Sequence, residues 1–303
     1  PCYNYGRYLQ DCVHSLLGGP TSLGDHPGQT LQSFEVIIVD DCSTDDSAEI
    51  GRGLADGWTG VRFYQTPKNG GTAKALNFGI KRAAGQYITF LSADDMREPD
   101  SLAGLVRACE ANPHSFVYDD CQYFANGERL RVWRFGDYDF ERLLFKNHVH
   151  AAILFPKRAW EETGGYPAAF GNGREDWAFN VALGEKGWCG VHVDQTGYLY
   201  RWEGQNRVLT NTTDRHRAYF LRKMQETFPH LYRGERPMGC CGGRRASARP
   251  AAKTASVNAE LAGARGFVEL EYVGDQQIAT WTGPVTNTQY RFGATRRMGY
   301  VDK

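Results

Sequence analysis

The chain has 303 residues, 41% of them apolar and 23% charged, and its formal net charge at pH 7 is zero. These values are ordinary for a globular protein that buries a core, and they exclude a chain that is disordered throughout. The sequence contains neither a run of about 18–20 apolar residues nor a signal peptide, so it predicts no transmembrane segment.

Apolar runs and amphipathic stretches alternate between residues 34 and 124. Buried strands are predicted at FEVIIVDD (34–41), VRFYQT (61–66), QYITFLSADD (86–95) and FVYDDCQYF (116–124). Helices are predicted at 43–55 with Ser43 or Thr44 as the N-cap, at 70–85 with Gly85 as the end, and at 100–112. The alternation predicts an α/β fold with a mostly parallel sheet and helices on both faces. The chain opens on PCYN, and we expect a further strand to precede Pro1.

The composition changes near residue 232, which predicts three regions. Residues 1–232 carry 24 Lys and Arg against 29 Asp and Glu, whereas residues 233–303 carry 11 against 6. Residues 233–266 are rich in Gly, Ala, Arg, Ser and Pro, so we expect a flexible basic linker. Residues 267–303 alternate short apolar runs with polar turns, and this pattern predicts a small β-meander domain.

Two of the predicted strands end in adjacent acids, Asp40-Asp41 and Asp94-Asp95. Ligands of α/β sheets bind beyond the carboxyl ends of the strands, so these carboxylates are expected at one rim. Repulsion within such a cluster is offset if it binds Mg²⁺ or Mn²⁺, or if it accepts hydrogen bonds from a ligand. Helix capping is the simpler interpretation and accounts well for Asp45 and Asp46. It accounts poorly for Asp94 and Asp95, because the next helix starts only after Pro99.

Five motifs then follow in a consistent order: PCYN, VDDCSTDDS, NGGTAKALNFGI, LSADDMREPDSL and GGYPAAFGNGREDWAFNVALGEKGW. Together they resemble the family-two inverting glycosyltransferases with the GT-A fold over residues 1–205. The resemblance implies transfer of a sugar, with inversion, from a nucleotide-diphosphate donor, usually a UDP-sugar. The acceptor is left open between a glycan, a lipid-linked sugar, a protein and a modified nucleic-acid base.

The resemblance also implies roles for individual residues at the donor site. Pro1 and Tyr3 lie in the segment that lines the nucleotide base, and Asp41 matches the acid that pairs with the base N–H. Asp94 and Asp95 stand at the metal motif and are expected to share Mn²⁺ or Mg²⁺ with the diphosphate. Many relatives have Asp-x-Asp here, whereas this chain has Ser92 in place of the first acid.

The chemistry of an inverting transfer needs one carboxylate that takes the proton of the acceptor hydroxyl. By resemblance Asp176 is that base, and Glu175 is its neighbour, which contacts the acceptor. The alternative is that both acids merely cap the helix that begins there.

Three basic side chains are weaker candidates for contacts with the diphosphate. Lys74 follows NGG, and Arg201 and Arg207 lie in YRWEGQNRVLTN, which resembles the loop that closes over the donor; ordinary solvated side chains are the alternative for all three. His148 and His150 are two residues apart, as metal ligands on one strand can be. No third ligand is evident, so acceptor-contacting or simply packed histidines are the favoured interpretation.

The C-terminal region carries no enzyme motif, and it faintly resembles small proteins encoded among phage structural genes. Three arginines of the predicted linker, Arg244, Arg245 and Arg249, could contact an acidic partner, although a solvated linker is the simpler interpretation. The eight cysteines contain no Cys-x-x-Cys pair, which argues against a zinc ribbon and favours a reducing compartment. We therefore expect a cytoplasmic location, in the host cytoplasm if the protein is phage-encoded. Cys240-Cys241 is interpreted as an inert surface pair rather than a metal or redox site.

A rival interpretation from another class is a non-catalytic carbohydrate- or virion-associated protein built on a decayed transferase fold. The presence of all four acids, Asp41, Asp94, Asp95 and Asp176, argues against decay, because a site without function gains nothing from mutually repelling carboxylates.

Overall fold

The structure, a computed structural model, describes residues 1–170, 173–203 and 214–237 together with three short strands nearer the C terminus. The chain divides into two compact units, Pro1–Gly243 and Arg244–Lys303. The domain boundaries expected from the composition stay a prediction. In the described residues no helix is both long and apolar enough to cross a bilayer.

The first unit contains nine helices within its described residues. They are α1 (Gly6–Leu17), α2 (Ser47–Gly57), α3 (Thr72–Ile80), α4 (Ser101–Ala111), α5 (Phe140–Leu143), α6 (Lys157–Thr163), α7 (Glu175–Glu185), α8 (Asp214–Thr227) and α9 (Pro229–Tyr232). The strands of this unit are β1 (Gly19–Thr21), β2 (Gly24–His26), β3 (Val36–Asp40), β4 (Val61–Gln65), β5 (Tyr87–Thr89), β6 (Met96–Arg97), β7 (Ser115–Ala125), β8 (Glu128–Trp133), β9 (Leu154–Pro156) and β10 (Cys189–Arg201).

The α/β fold class is confirmed, but the sheet is mixed rather than mostly parallel. The strand order of the larger sheet is β5-β9-β7-β10-β6, and β8 pairs with β7. Parallel pairing joins β7 to β10 and β3 to β4, whereas β5–β9, β7–β9, β6–β10 and β7–β8 are antiparallel. One cause is local: Asn126 and Gly127 both have positive φ, 50° and 78°, so the chain reverses in a two-residue turn and β8 must run back along β7.

Helices cover both faces of this sheet, as expected. Along β7, Phe116 packs in one apolar cluster with Leu76 of α3 and Phe179 of α7, while Val117 packs in another with Leu105 of α4. Successive residues of a strand point to opposite faces, so β7 is buried on both sides. That double burial explains why its sequence reads as a nearly continuous apolar run.

A cavity of about 560 Å³ lies between β3 and β5, which are edge strands of their two sheets. Its lining includes Val36–Val39 of β3 and Tyr87–Thr89 of β5, with apolar side chains from α1, α3 and α4. At one end of this edge Cys2 forms a parallel bridge with Asp40, and the N–H of Cys2 donates to the carbonyl of Val39 at 2.8 Å. The expected strand ahead of Pro1 stays a prediction.

Several element boundaries differ from the expected ones because polar side chains end the regular structure early. Helix α2 begins four residues late, with Asp46 as its N-cap residue, so the prediction of Ser43 or Thr44 is wrong. The Ser43 hydroxyl accepts from the N–H of Asn4 at 2.9 Å, and the N–H of Thr44 donates to the side chain of Asn4 at 2.8 Å. Both candidate caps are thus bound to the N-terminal loop instead of the helix.

Helix α3 likewise ends at Ile80 rather than near Gly85. The carboxylate of Glu35 accepts hydrogen bonds from the N–H groups of Ala84 and Gly85 at 2.6 and 2.9 Å. The predicted strand 86–95 is regular only to Thr89, since residues 92–95, named here the acidic turn, bend back with a hydrogen bond from the Asp95 N–H to the Ser92 carbonyl at 3.0 Å.

In the second unit, strands β11 (Glu271–Tyr272), β12 (Ala279–Thr282) and β13 (Gln289–Phe292) pair antiparallel in chain order. This pairing confirms the small β-meander. Most of the predicted linker, including Arg244, Arg245, Arg249 and Cys240-Cys241, lies outside the described residues.

Candidate active site

Asp41 directly follows β3, and its side chain lies at the start of α3. Its carboxylate is buried and accepts from the Thr66 hydroxyl at 2.8 Å and from the backbone N–H groups of Gly70, at 3.0 Å, and Gly71, at 2.7 Å. Four short contacts leave this carboxylate little capacity for a further donor. Asp41 therefore fixes the NGG loop, and its pairing with a nucleotide base stays a prediction.

Its neighbour Asp40 points elsewhere and keeps one oxygen unsatisfied. The Oδ2 atom accepts from the side chain of Gln65 at 2.8 Å and from the N–H of Ser43 at 3.2 Å. The Oδ1 atom is buried and has no hydrogen-bond partner. A buried acceptor without a donor costs free energy, so this oxygen of Asp40 lowers the stability of the fold unless a donor reaches it.

The acidic turn presents its two carboxylates differently. Asp95 is fully buried and accepts from the hydroxyl of Tyr198 at 2.5 Å and from the N–H of Arg201 at 2.9 Å. Asp94 is partly exposed, and among the described residues only its own backbone N–H donates to its carboxylate. Asp95 is thus anchored by β10, while Asp94 is available to a ligand.

Both carboxyl groups of the acidic turn resist ionisation. Burial raises the pKa of Asp94 to about 6, and the nearby charge of Glu203 adds to the rise. Burial and then the charge of Asp94 raise the pKa of Asp95 well above its usual range. Two such neighbours favour a cation, because positive charge between them offsets both the burial and the repulsion.

Arg201 supports the acidic turn from behind. Its guanidinium is buried, and Nε donates to the carbonyl of Asp94 at 2.8 Å, while a terminal nitrogen lies 2.7 Å from a carboxylate oxygen of Asp11. The same group lies over the ring of Tyr8, 4.4 Å from its centroid. In this arrangement Arg201 positions Asp94, and its predicted contact with a leaving phosphate stays a prediction.

The acidic turn fits a divalent cation only in part. No group of three or more His, Cys, Asp or Glu side chains within the described residues could hold a metal ion by itself. Oxygen ligands suit Mg²⁺ and Mn²⁺, and such ions are commonly held by one or two carboxylates together with phosphate oxygens. The partly exposed carboxylate of Asp94 beside the anchored Asp95 meets that description, provided that a diphosphate supplies the remaining ligands.

The second pair of acids opens α7. Arg174 precedes the helix in the left-handed conformation, with φ of 63°, which is sparsely populated by residues other than glycine. This turn leaves Glu175 and Asp176 partly exposed at the start of the helix. The amide of Asn147 donates to Oδ2 of Asp176 at 2.9 Å, so one oxygen of that carboxylate is held in place.

These two acids also have raised pKa values. Burial and the charge of Asp176 raise the pKa of Glu175 to about 7, and its Oε2 atom is buried without a hydrogen-bond partner. Burial raises the pKa of Asp176 too, although the N–H of Trp177, the charge of Arg174 and the amide of Asn147 oppose the rise. Carboxylates of raised pKa are better proton acceptors at neutral pH than ordinary ones.

Helix α3 connects Asp41 to the region of α7. Asp41 holds its first turn, and three residues before its end the side chain of Asn77 bonds to both the N–H and the carbonyl of Tyr166, at 2.9 and 2.8 Å. Tyr166 stacks on Phe179 of α7, with ring centroids 4.0 Å apart. The charges of Asp176 and Glu175 contribute to the raised pKa of Tyr166, after burial, so this ring lies beside both acids.

The remaining predicted site residues are not all brought together. Pro1 lines the cavity beside β3, and Tyr3 and Lys74 are exposed. Arg207, like residues 171–172 of the FGNG segment, lies outside the described residues.

His148 and His150 are packed rather than poised as metal ligands. His148 accepts from the N–H of Asp139 at 3.1 Å, and His150 lies 3.1 Å from the carboxylate of Asp119. Burial lowers the pKa of both rings. Asp119 in turn holds the buried Arg97 through two contacts of 3.0 and 3.1 Å.

Sequence reasoning missed Tyr198, Asn147 and the Arg97–Asp119 pair. Their contacts join residues far apart in the chain, so no local sequence pattern predicts them. The alternation of Tyr198, Tyr200 and Trp202 along β10 was the one available signal, because it predicts an aromatic face on that strand.

Comparison with known proteins identifies the family of the chain. Residues 1–171 match the family model of glycosyl transferase family 2. The hyaluronan synthase of Pasteurella multocida is 31% identical over 229 residues, covering 73% of this chain and 22% of the synthase. The chain thus spans about a fifth of the length of this relative.

Two solved structures share the fold. S. aureus TarS 1-349 in complex with UDP-GlcNAc is 18% identical with a TM-score of 0.56, covering 75% of this chain and 64% of that one. GalNAc-T7 with UDP, GalNAc and Mn²⁺ is 14% identical with a TM-score of 0.55, covering 75% of this chain and 47% of that one. At these identities the likeness concerns the fold alone, and it confirms the GT-A fold. By the family model, which covers more than half of its residues, the chain belongs to glycosyl transferase family 2.

Proposed function

We propose that this protein is an inverting glycosyltransferase that moves a sugar from a UDP-sugar to an acceptor hydroxyl. Family membership supports the reaction class, and TarS and GalNAc-T7, which share the fold, were solved with UDP-GlcNAc and with UDP. The observation that carries the proposal is the pairing of two acid sites on one scaffold. The acidic turn suits a cation and a diphosphate, and the start of α7 offers carboxylates suited to proton removal.

At the donor site, we assign the direct cation contact to Asp94 and a positioning role to Asp95. Asp94 is the more accessible carboxylate, whereas Tyr198 and the Arg201 N–H already occupy both oxygens of Asp95. Bound Mn²⁺ or Mg²⁺ would offset the charge that develops on the leaving diphosphate. Arg201, by holding the carbonyl of Asp94, keeps the acidic turn in its bent form.

At the acceptor site, Asp176 takes the proton of the attacking hydroxyl. The amide of Asn147 fixes Oδ2, which leaves Oδ1 to accept that proton. Burial holds the Asp176 pKa above its usual range, so the proton is accepted more readily than by an exposed aspartate. Glu175 is adjacent in the helix and contacts the acceptor, and the charge of Asp176 adds to the burial that raises its pKa.

A non-catalytic binding protein on a decayed transferase fold is the second candidate. Asp94, Asp95, Glu175 and Asp176 all have raised pKa values, and burying these carboxyl groups costs stability that a site without function has no ligand to offset. This observation favours the enzyme.

The two candidates are separated by transfer to water. The full chain is incubated with Mn²⁺ and each of UDP-glucose, UDP-GlcNAc, UDP-GalNAc and UDP-glucuronic acid, and the released sugar is followed by proton NMR. We expect release of UDP from at least one donor, with the β-anomer formed first from the α-linked donor. First formation of the α-anomer would contradict inversion, and nucleotide binding without any hydrolysis would favour the decayed fold.

A further inference from the structure

One face of the larger sheet carries a row of aromatic side chains that the proposed mechanism does not use. In β10, β7 and β8, which lie side by side, Tyr200 pairs with Tyr123, and Trp133 pairs with Cys121. Cys121 also pairs with Tyr198, so Trp133, Tyr123 and Tyr200 share the face on which Tyr198 lies, since side chains alternate along a strand. Trp202, one residue beyond β10, joins them because its ring contacts that of Tyr123. We call Tyr123, Trp133, Tyr200 and Trp202 the aromatic platform.

The rings of the aromatic platform are close together and reach solvent. The centroid of Tyr123 lies 5.2 Å from that of Tyr200 and 6.0 Å from that of Trp202. Trp133 is 47% exposed, and the other three side chains are partly exposed. Grouped exposed aromatic rings commonly mark a binding surface, and flat aromatic faces suit the C–H faces of sugar rings.

A cation completes the platform. The Arg131 guanidinium lies 5.2 Å from the Tyr123 centroid and 5.7 Å from the Trp133 centroid. Within the described part of the chain it forms no ion pair, whereas Arg129 on the same strand pairs with Glu98, and Arg134 pairs with Asp120. A guanidinium held over aromatic rings and not engaged in such an ion pair suits a carboxylate of a ligand.

The platform is continuous with the donor site. The ring of Tyr200 lies 6.2 Å from that of Tyr198, whose hydroxyl donates to Asp95 at 2.5 Å. A sugar chain lying along the platform would therefore end near the acidic turn, where the proposed function places the donor.

We propose that the aromatic platform with Arg131 binds the acceptor, and that this acceptor is a glycan carrying carboxylates. The inference rests on the proposed function, because it assigns the acceptor class of the same enzyme. Aromatic rings contact the sugar faces, and Arg131 selects the acidic sugar.

The test uses the full chain and two probes, an oligosaccharide of alternating hexuronic acid and N-acetylhexosamine and the same oligosaccharide with its carboxyl groups reduced. Binding is measured by isothermal titration calorimetry for wild type, Trp133→Ala, Arg131→Gln and Val132→Ala. Val132 is the matched control, because it is 39% exposed on the same strand and, as the neighbour of Trp133, points to the opposite face. Donor hydrolysis without acceptor is measured in parallel.

We expect the acidic probe to bind wild type at least about tenfold more tightly than the reduced probe, a difference of about 1.4 kcal/mol. Trp133→Ala should weaken both probes about tenfold, Arg131→Gln should remove the preference for the acidic probe, and Val132→Ala should change neither. Donor hydrolysis should be unchanged in all three variants. Equal binding of both probes by wild type, no binding of either, or equal losses in Val132→Ala and Trp133→Ala would overturn the platform proposal. Failure of wild type to hydrolyse any donor, with glycan binding intact, would overturn the proposed function alone.

Discussion

The hydroxyl of Tyr198 donates a hydrogen bond of 2.5 Å to Oδ2 of Asp95, and both groups are buried. The contact joins the middle of β10 to the acidic turn, more than 100 positions away in the chain. With the N–H of Arg201 on Oδ1, it fixes the carboxylate of Asp95 completely. The partly exposed partner Asp94 is therefore held on a rigid base, and rigid presentation of a ligand is what a metal site requires.

The first prediction concerns this hydrogen bond. Tyr198→Phe removes the hydroxyl and keeps the ring, so the fold should survive, with a loss of about 1–3 kcal/mol in the free energy of unfolding. Mn²⁺-dependent binding of UDP should weaken about tenfold, as for other groups that orient ligating carboxylates. Titration of UDP with and without Mn²⁺ measures this, and Tyr87→Phe on β5 is the control, since no hydrogen bond of its hydroxyl is described. Unchanged Mn²⁺ dependence in Tyr198→Phe would remove the positioning role.

The second prediction separates the two acids of the turn. Asp94→Asn should abolish the Mn²⁺-dependent part of UDP binding and leave the fold intact, because the side chain of Asp94 holds no other element. The exposed Asp56 of α2 provides the control, and Asp56→Asn should behave as wild type. Calorimetry with UDP at a fixed Mn²⁺ concentration measures the UDP affinity of both variants. If UDP binding by Asp94→Asn depended on Mn²⁺ as it does in wild type, the metal would be assigned to Asp95 or to other ligands.

The third prediction follows from the raised pKa of Glu175, about 7 against a usual 4.5. A carboxyl group whose pKa is raised by folding contributes stability that is present below pH 4.5 and is lost as the pH rises through about 7. Glu175→Gln should therefore raise the melting temperature at pH 8 and leave it nearly unchanged at pH 4.5. At pH 8 the free energy of unfolding should increase by at most about 3 kcal/mol. Thermal melts of wild type and Glu175→Gln across this range measure the effect. Glu161→Gln, at an exposed position on α6, is the control. A change in melting temperature of Glu175→Gln that is the same at every pH would contradict a buried charge at Glu175.

The sequence predicted the order of strands and helices well, because buried parallel strands and amphipathic helices leave local periodic patterns. It also located the acids at the strand ends, since a strand followed by Asp-Asp is a local feature. What it could not foresee was how those acids differ. The carboxylate of Asp41 accepts hydrogen bonds from the N–H groups of Gly70 and Gly71, and that of Asp95 accepts from the Tyr198 hydroxyl and the Arg201 N–H. Both sets of donors belong to segments that are distant in the chain. The mixed sheet was missed for a related reason: strand direction is set by connections and long-range pairing, which apolar runs do not encode.

The central claim is that Asp176 removes the proton of the attacking hydroxyl. Asp176→Asn keeps the shape of the side chain and an oxygen for the amide of Asn147, so α7 should remain in place. A general base acts in the transition state, so its loss should spare binding of the UDP-sugar.

The most direct measurement is single-turnover hydrolysis of the preferred UDP-sugar by Asp176→Asn, with Glu175→Gln as the matched neighbour and with the donor affinity of each variant determined separately. We expect hydrolysis by Asp176→Asn to slow about 10²–10⁴-fold, with donor affinity nearly unchanged and a smaller loss in Glu175→Gln. Wild-type hydrolysis by Asp176→Asn would contradict the account, and a large loss confined to Glu175→Gln would make Glu175 the base.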